Sequence, residues 1–497
     1  MQKREGVRRL HRFDVLIIAF LFLITIFPSL SSQNASAVSA ANCKILAKDT
    51  VTHQREGWPR DLEALQSAGA PKILIVAVDF PDAPAGGNAD TYINKKIDLA
   101  SLKGFFDHNS GGVFSPEFIT VPDFVHMPLS SDQYGSSQTQ TLLVNNEWQD
   151  HVITRTALAA LADTVRISDY QAAIVIVTGG KALSGYVALS TSQDAGSIIT
   201  KTGEIHNTIL IGDGALNSTI TPAWRVMIHE VFHLLGLSDL YLYQPDGWYL
   251  GKSTGLYGQM SYFQSSETEA LDWNLWLLGW IKDSQIKCYE GIPSLRSLPL
   301  NSEVIAEDVI RIAVFKLSPT KVLVVEPIGP NAIDLNLEKG LLAYTVDSTI
   351  PTGFGPVSII SKKTPLSSAP ISPTIPDWIR LQDAPLKQGE YLSIENKLFV
   401  NSAKAGDTPQ LSVYTGSSVA TAIKKLDEAT SNITKKASKI PKTPPSAKTL
   451  RAKEVFKNLD TRPKFLMWQT CSQGSATLEL FTKGLMCEDV LKNYLSN

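Results

Sequence analysis

The chain has 497 residues, enough for two or three domains. Its formal net charge is −2, with 46 Lys and Arg against 48 Asp and Glu, which argues against nucleic acid as a partner. A hydrophobic fraction of 43% is that of an ordinary globular protein and excludes a chain too polar to build a core.

The first 14 residues carry Lys3, Arg4, Arg8, Arg9 and Arg12 against two acids. Residues 15–27 are almost wholly apolar, and Ala35-Ser36-Ala37 and Val38-Ser39-Ala40 both fit a small-residue cleavage site. This is the pattern of a secretory signal peptide over residues 1–40. Its apolar core is shorter than the ~20 residues a membrane-spanning helix needs, so an uncleaved anchor is the weaker reading. The four cysteines, Cys43, Cys288, Cys471 and Cys487, show no C-x-x-C spacing. In an exported chain they imply two disulfides, with Cys471–Cys487 as a local loop and Cys43–Cys288 as a long-range tie, though three pairings remain open.

Residues 44–70 read as a lead-in and leave room for a propeptide. KILIVAVDF, residues 72–80, is a buried strand closed by Pro81. Residues 93–107 predict a helix, Gly111-Gly112 a turn with His108 beside it as a turn residue, and residues 113–127 a pair of strands. A helical pattern over residues 140–164 precedes a second core strand at 170–178. Short strands follow at 185–189 and 208–212. One of them is a candidate sheet edge for an extended peptide, which would be held through main-chain hydrogen bonds. Strand, helix and strand in this order predict a mixed sheet behind the next helix.

That helix is predicted in TPAWRVMIHEVFHLLGLSDLY, residues 221–241. Thr221 suits the N-cap, Pro222 the first position, and Gly236 the stop. His229 and His233 are four apart and share one helical face, so both imidazoles can reach one metal ion. Glu230 can face water at that ion. Zinc in a catalytic site takes three protein ligands and keeps one open position. Asp239 is the candidate third ligand, because Gly236 can bend the chain back under the helix.

HEVFHLLGLSD fits HExxHxxGxxD and resembles the metzincin-type zinc proteases, in particular the M6 (immune inhibitor A-like) peptidases. VDFPDAP is similar to the first strand of that family's catalytic domain, and FFDHNSGGVFSPEF to its aromatic-then-Ser-x-Gly segment. GLYGQMSY, residues 255–262, resembles the Met-turn of metzincins, with Tyr-Gly-Gln-Met where the family often shows Trp-Asp-Leu-Met. Tyr262 is similar to a metal-side tyrosine of some metzincins, where a phenol stabilises the oxyanion; a core or turn tyrosine is the plainer reading. LDWNLWLLGWI, residues 271–281, resembles the closing helix of the domain and reads as core. Glu267 and Glu269 are the alternative third ligands, as in gluzincins, but Gly236 and Met260 favour Asp239. Cys43 as a thiolate cap on the metal is a further option beside its disulfide.

Beyond Cys288, alternating segments at 309–317, 321–326, 340–346, 357–362, 391–400 and 410–415 predict an antiparallel β domain. KVLVVEP and GLLAYTVD are similar to segments that follow the protease domain in the same family. Residues 419–438 suit a short helix. The Lys-, Pro- and Ser-rich stretch at 435–453 reads as a linker with a weak pull toward an anionic cell surface.

The expected fold class is α+β. A metzincin-like zinc protease domain (41–290) is followed by a β-sandwich-like domain (291–418), a helix and basic linker (419–453) and a small segment with a Cys pair (454–497). The expected activity is that of a secreted, monomeric zinc endopeptidase acting on proteins or peptides. Glu230 and, less securely, Tyr262 are its catalytic residues; His229, His233 and Asp239 are its zinc ligands. The resemblance also implies structural Ca2+. The competing readings are a cell-wall peptide amidase and a non-catalytic exported binding protein.

Overall fold

The computed structural model describes residues 36–48, 53–134, 143–144, 147–180, 188–190, 197–218, 221–244, 247–249, 253–261, 269–302, 308–328, 340–361, 381, 384–404 and 408–438. Residues 1–35 of the signal segment, Tyr262, Glu267, residues 439–453 of the basic linker and the Cys471/Cys487 segment lie outside these residues, whereas residues 36–40 are described and the Val38 amide donates to the Cys288 carbonyl at 2.9 Å.

The first part of the chain builds a mostly parallel sheet from β1 (Lys72–Asp79), β2 (Glu117–Thr120), β3 (Val125–His126), β4 (Ala172–Val177), β5 (Ala188–Ser190) and β6 (Asn207–Ile211). The spatial order is β2-β1-β4-β6-β5, with β3 also on β1; only β5 runs antiparallel, against β6. β1 and β4 read as unbroken apolar runs because both of their faces are covered. Ile73, Ile75 and Ala77 share a core with the metal-motif helix, while Leu74, Val76 and Val78 pack with Ile153 and Leu158 on the other side.

Two expectations are corrected here. The helix expected at 93–107 is two helices, α1 (Ala89–Lys96) and α2 (Leu99–Ser110). Asp98 divides them by accepting from the Ser101 amide at 2.9 Å, as an N-cap does. The strands expected to pair within 113–127 are β2 and β3, and each pairs in parallel with β1 instead. The following helix, α3, spans Gln149–Leu161.

The helix of the HExxH motif is α4 (Ala223–Leu234). Its N-cap is Pro222, without a side-chain cap, so Thr221 is not the cap residue expected. Its end is as the sequence predicts. Gly236 sits at φ +87, its amide donates to the His233 carbonyl at 2.8 Å, and Leu237 donates to Phe232 at 3.0 Å. That pair of bonds is a Schellman stop, and it turns the chain back toward the helix. A short hairpin, β7 (Leu242–Gln244) and β8 (Gly247–Tyr249), and α5 (Asp272–Leu277) follow.

The remaining strands form two sheets. One runs β9 (Ile286–Glu290), β11 (Ile312–Ser318), β12 (Lys321–Ile328), β13 (Gly340–Asp347), β14 (Val357–Ile359). The other runs β10 (Leu295–Pro299), β17 (Gln410–Tyr414), β16 (Lys397–Asn401), β15 (Tyr391–Ile394). The sandwich is not purely antiparallel, because β9 and β11 are parallel. The detour through β10 in the opposite sheet gives the long crossover that a parallel pair needs. The strand expected at 391–400 is a hairpin, turned by Glu395 and Asn396 at φ 48 and 61. Helix α6 (Ser418–Ser438) lays Val419, Ala422, Ile423 and Leu426 against Leu398 and Val400.

From Ala37 on, the described residues form a single compact unit. The five-stranded sheet is its shared wall. Val314, Val322, Val324 and Tyr344 belong to the core that contains Phe232 and Trp273, whereas Ala313, Phe315, Leu323 and Val325 face Phe399, Leu411 and Val413. The described part of the lead-in is built into this core. Trp58 packs edge-on to Trp273 and Trp276, and Cys43 is disulfide-bonded to Cys288. The disulfide excludes Cys43 as a thiolate on the metal. Among the described residues, no helix is long and apolar enough to cross a membrane.

Candidate metal centre

The turn at Gly236 brings Asp239 to the two histidines. His229 Nε2 and His233 Nε2 are 3.1 Å apart, and Asp239 Oδ1 lies 3.0 Å from the first and 3.1 Å from the second. All three side chains are buried. Four bonds of ~2.0–2.1 Å to one tetrahedral ion would set ligand atoms about 3.3 Å apart, so the triangle has the size of a zinc site.

The protons support the same reading. His229 Nδ1 lies 3.2 Å from the Gln259 carbonyl, and His233 Nδ1 lies 2.8 Å from the Leu237 carbonyl. A carbonyl only accepts, so each Nδ1 carries a proton, and a ring holding only that proton presents its Nε2 lone pair to the shared point. Asp239 Oδ1 is buried with no hydrogen-bond donor. Two imidazole nitrogens and a carboxylate oxygen therefore converge on one point, which calls for positive charge there, from a metal ion or a proton.

The electrostatics show that demand. Burial by itself lowers the His233 imidazole, but the Asp239 carboxylate and then Glu230 raise it to about 9. Burial by itself raises the Asp239 carboxyl, yet the two imidazoles hold it well below the usual carboxylate range. Without a metal, a proton supplies the positive charge. Glu230 is buried, and its charge bears on His233, Tyr241 and Tyr243 alike.

Several groups that the sequence reading did not single out complete the centre. Tyr243 Oη donates to Asp239 Oδ2, leaving Oδ1 for the ion. The Tyr241 ring stacks on His229 at 5.9 Å. Burial first, then the Asp239 and Glu230 charges, push both phenols up, so both stay protonated donors. Asp239, Tyr241 and Tyr243 are spaced i, i+2, i+4, and that alternation was the signal available for them. The Asp239 amide donates to Thr352 Oγ1 at 2.8 Å, and the Gly353 amide donates to the Asp239 carbonyl at 3.1 Å. Thr352 and Gly353 lie over a hundred residues downstream, and nothing local in the sequence points to them.

The turn expected around Met260 is present. Met260 is buried, its carbonyl accepts from the Leu240 amide at 2.9 Å, and the preceding Gln259 carbonyl holds His229. Gln259 is held in turn by Arg225, through Nε2 to the Arg225 carbonyl at 3.0 Å. Among the described residues the ligand group here is His229, His233 and Asp239, without Glu269. Neither a protein-family model nor a curated protein matches the sequence. The case for a metal therefore rests on the site's own chemistry.

A second His/Asp/Glu group, His53, Asp61 and Glu63, is a poor cation site. Arg55 Nη2 already lies 2.8 Å from Asp61 Oδ2, on the oxygen that also faces His53.

Proposed function

We propose that the chain is a secreted zinc-dependent endopeptidase of the metzincin, immune inhibitor A-like kind. The observation that carries this reading is the triangle of His229 Nε2, His233 Nε2 and Asp239 Oδ1, with both Nδ1 atoms committed to carbonyls. When bound, zinc supplies Lewis acidity and lowers the pKa of its water toward ~7. His229, His233 and Asp239 hold the ion, and the carbonyls of Gln259 and Leu237 fix the ring tautomers. Glu230, adjacent to the first ligand, takes the proton from the attacking water and passes it to the leaving amine. Among the described residues, strand β5 is the antiparallel end of the first sheet, beside α4, and it is the edge we assign to an extended peptide. β6 is paired on both sides, which favours β5 of the two strands considered from sequence.

The test is to express residues 41–497, measure zinc, and follow casein cleavage with and without a chelator. Zinc near one per chain and chelator-sensitive cleavage are expected. Glu230→Gln is expected to keep the zinc and lose ~10²–10⁴-fold in rate. Full activity in that variant would refute the role of Glu230, and absence of zinc in the wild type would refute the metal reading.

A further inference from the structure

Two aromatic rings stand out among the exposed large hydrophobics of the described residues: Phe354 at 63% and Tyr243 at 37% exposure. They are neighbours, with ring centroids 6.4 Å apart. Single exposed apolar residues are ordinary, but this pair begins at the metal centre. The Tyr243 hydroxyl is bonded to the candidate ligand Asp239, and Phe354 extends the aromatic surface outward.

The loop that carries Phe354 is held in place. It leaves β13 and returns to β14, with the Asp347 amide bonded to Pro356 and Phe354 to Pro351. Its backbone is docked on the strand of the metal ligand. Gly353 donates to Asp239, Tyr243 donates to Gly353 at 2.8 Å, and Leu242 bridges Phe354 antiparallel. Gly353 sits at φ +73, and a Cβ there would stand 2.2 Å from the Tyr243 ring. Only glycine lets the loop lie this close, so the backbone fixes where Phe354 projects.

We propose that Phe354 and the exposed part of Tyr243 form a substrate subsite that takes a large apolar side chain, aromatic or branched aliphatic, from a peptide bound at the metal. The proposal rests on the zinc peptidase reading and adds the side-chain class. A preorganised aromatic pair binds such a group through buried area and ring stacking without first paying to order itself. The sandwich thereby contributes to the active site rather than trailing behind it.

The test uses zinc-loaded protein and two short peptide hydroxamates, which grip zinc directly, one with Phe and one with Ser beside the hydroxamate. Binding by competition against a fluorescent hydroxamate needs no turnover. The wild type is expected to prefer the Phe probe by about tenfold, a normal reward for filling an apolar subsite. Phe354→Ser is expected to bring the two affinities within about twofold while zinc content and the Ser-probe affinity stay unchanged, with Phe354→Tyr restoring the preference. An unaltered preference in Phe354→Ser overturns the subsite while leaving the metal reading intact. A wild-type protein that binds zinc yet neither probe overturns the subsite together with the peptidase reading. Phe354 is exposed, so loss of folding does not confuse the result; unchanged thermal midpoints verify this.

Discussion

The tautomers of His229 and His233 are set by two backbone carbonyls, and Asp239 is oriented by Tyr243. Contacts of this kind around metal ligands contribute about 10–100-fold in affinity. Tyr243→Phe is therefore expected to weaken zinc binding by that factor while leaving the fold intact, measured by competition with a chromophoric chelator. The sequence makes His229, Glu230 and His233 legible because their spacing is local and the helix converts it directly to geometry. Asp239 follows from Gly236, which is also local. Tyr241 and Tyr243 are marked in the sequence only by their alternation with Asp239.

At the level of elements, the end of α4 decides the site. Gly236 adopts a left-handed backbone with Ala64 Cβ only 3.4 Å from where its own Cβ would stand. Gly236→Ala is expected to cost ~1–2 kcal/mol in urea unfolding, from the strained backbone alone. The same turn rests on Glu56, buried at 3% exposure, which accepts from the Ser238 amide at 3.4 Å and from Asn274 Nδ2 at 2.9 Å. Burial, only partly offset by these hydrogen bonds, raises the Glu56 carboxyl from 4.5 to about 8. The folded state thus retains a proton that the unfolded chain has lost. Stability from this group is fully present below pH 4.5 and declines up to about pH 8, by up to roughly 1.4 kcal/mol per pH unit. Glu56→Gln is expected to abolish that share of the slope, seen as a smaller difference between pH 5 and pH 9 melting temperatures. A slope identical to wild type would rule out Glu56 as its source. Element types were largely legible from periodicity; the breaks at Asp98 and at Glu395-Asn396 were not, because one capping or turn residue outweighs the apolar pattern around it.

For the whole molecule, the five-stranded sheet buries one face against the core that carries the candidate metal centre and the other inside the sandwich. Arg311 from β11's approach pairs with Asp272 at the head of α5, where Glu326 and Tyr344 also bond the helix backbone. The Cys43–Cys288 disulfide closes a separation of 245 residues. Replacing both cysteines by alanine is expected to cost about 2–5 kcal/mol by freeing the unfolded chain, read as a lowered denaturation midpoint. Because the wall is shared, loss of metal-site and sandwich signals should coincide in one transition. Two transitions would show that the halves unfold separately.

The sequence by itself determined the strands of the first sheet, the helix with its His-Glu-His set and its glycine stop. Each of these is written in a short window, where backbone period and residue type act directly. Only the tertiary structure decided which cysteine partners Cys43, the order of the described strands in the first sheet, and that Thr352 and Gly353 of the sandwich hold the third candidate ligand. Those contacts join residues far apart in the chain, and they arise from the burial of two sheet faces at once, which local patterning does not specify.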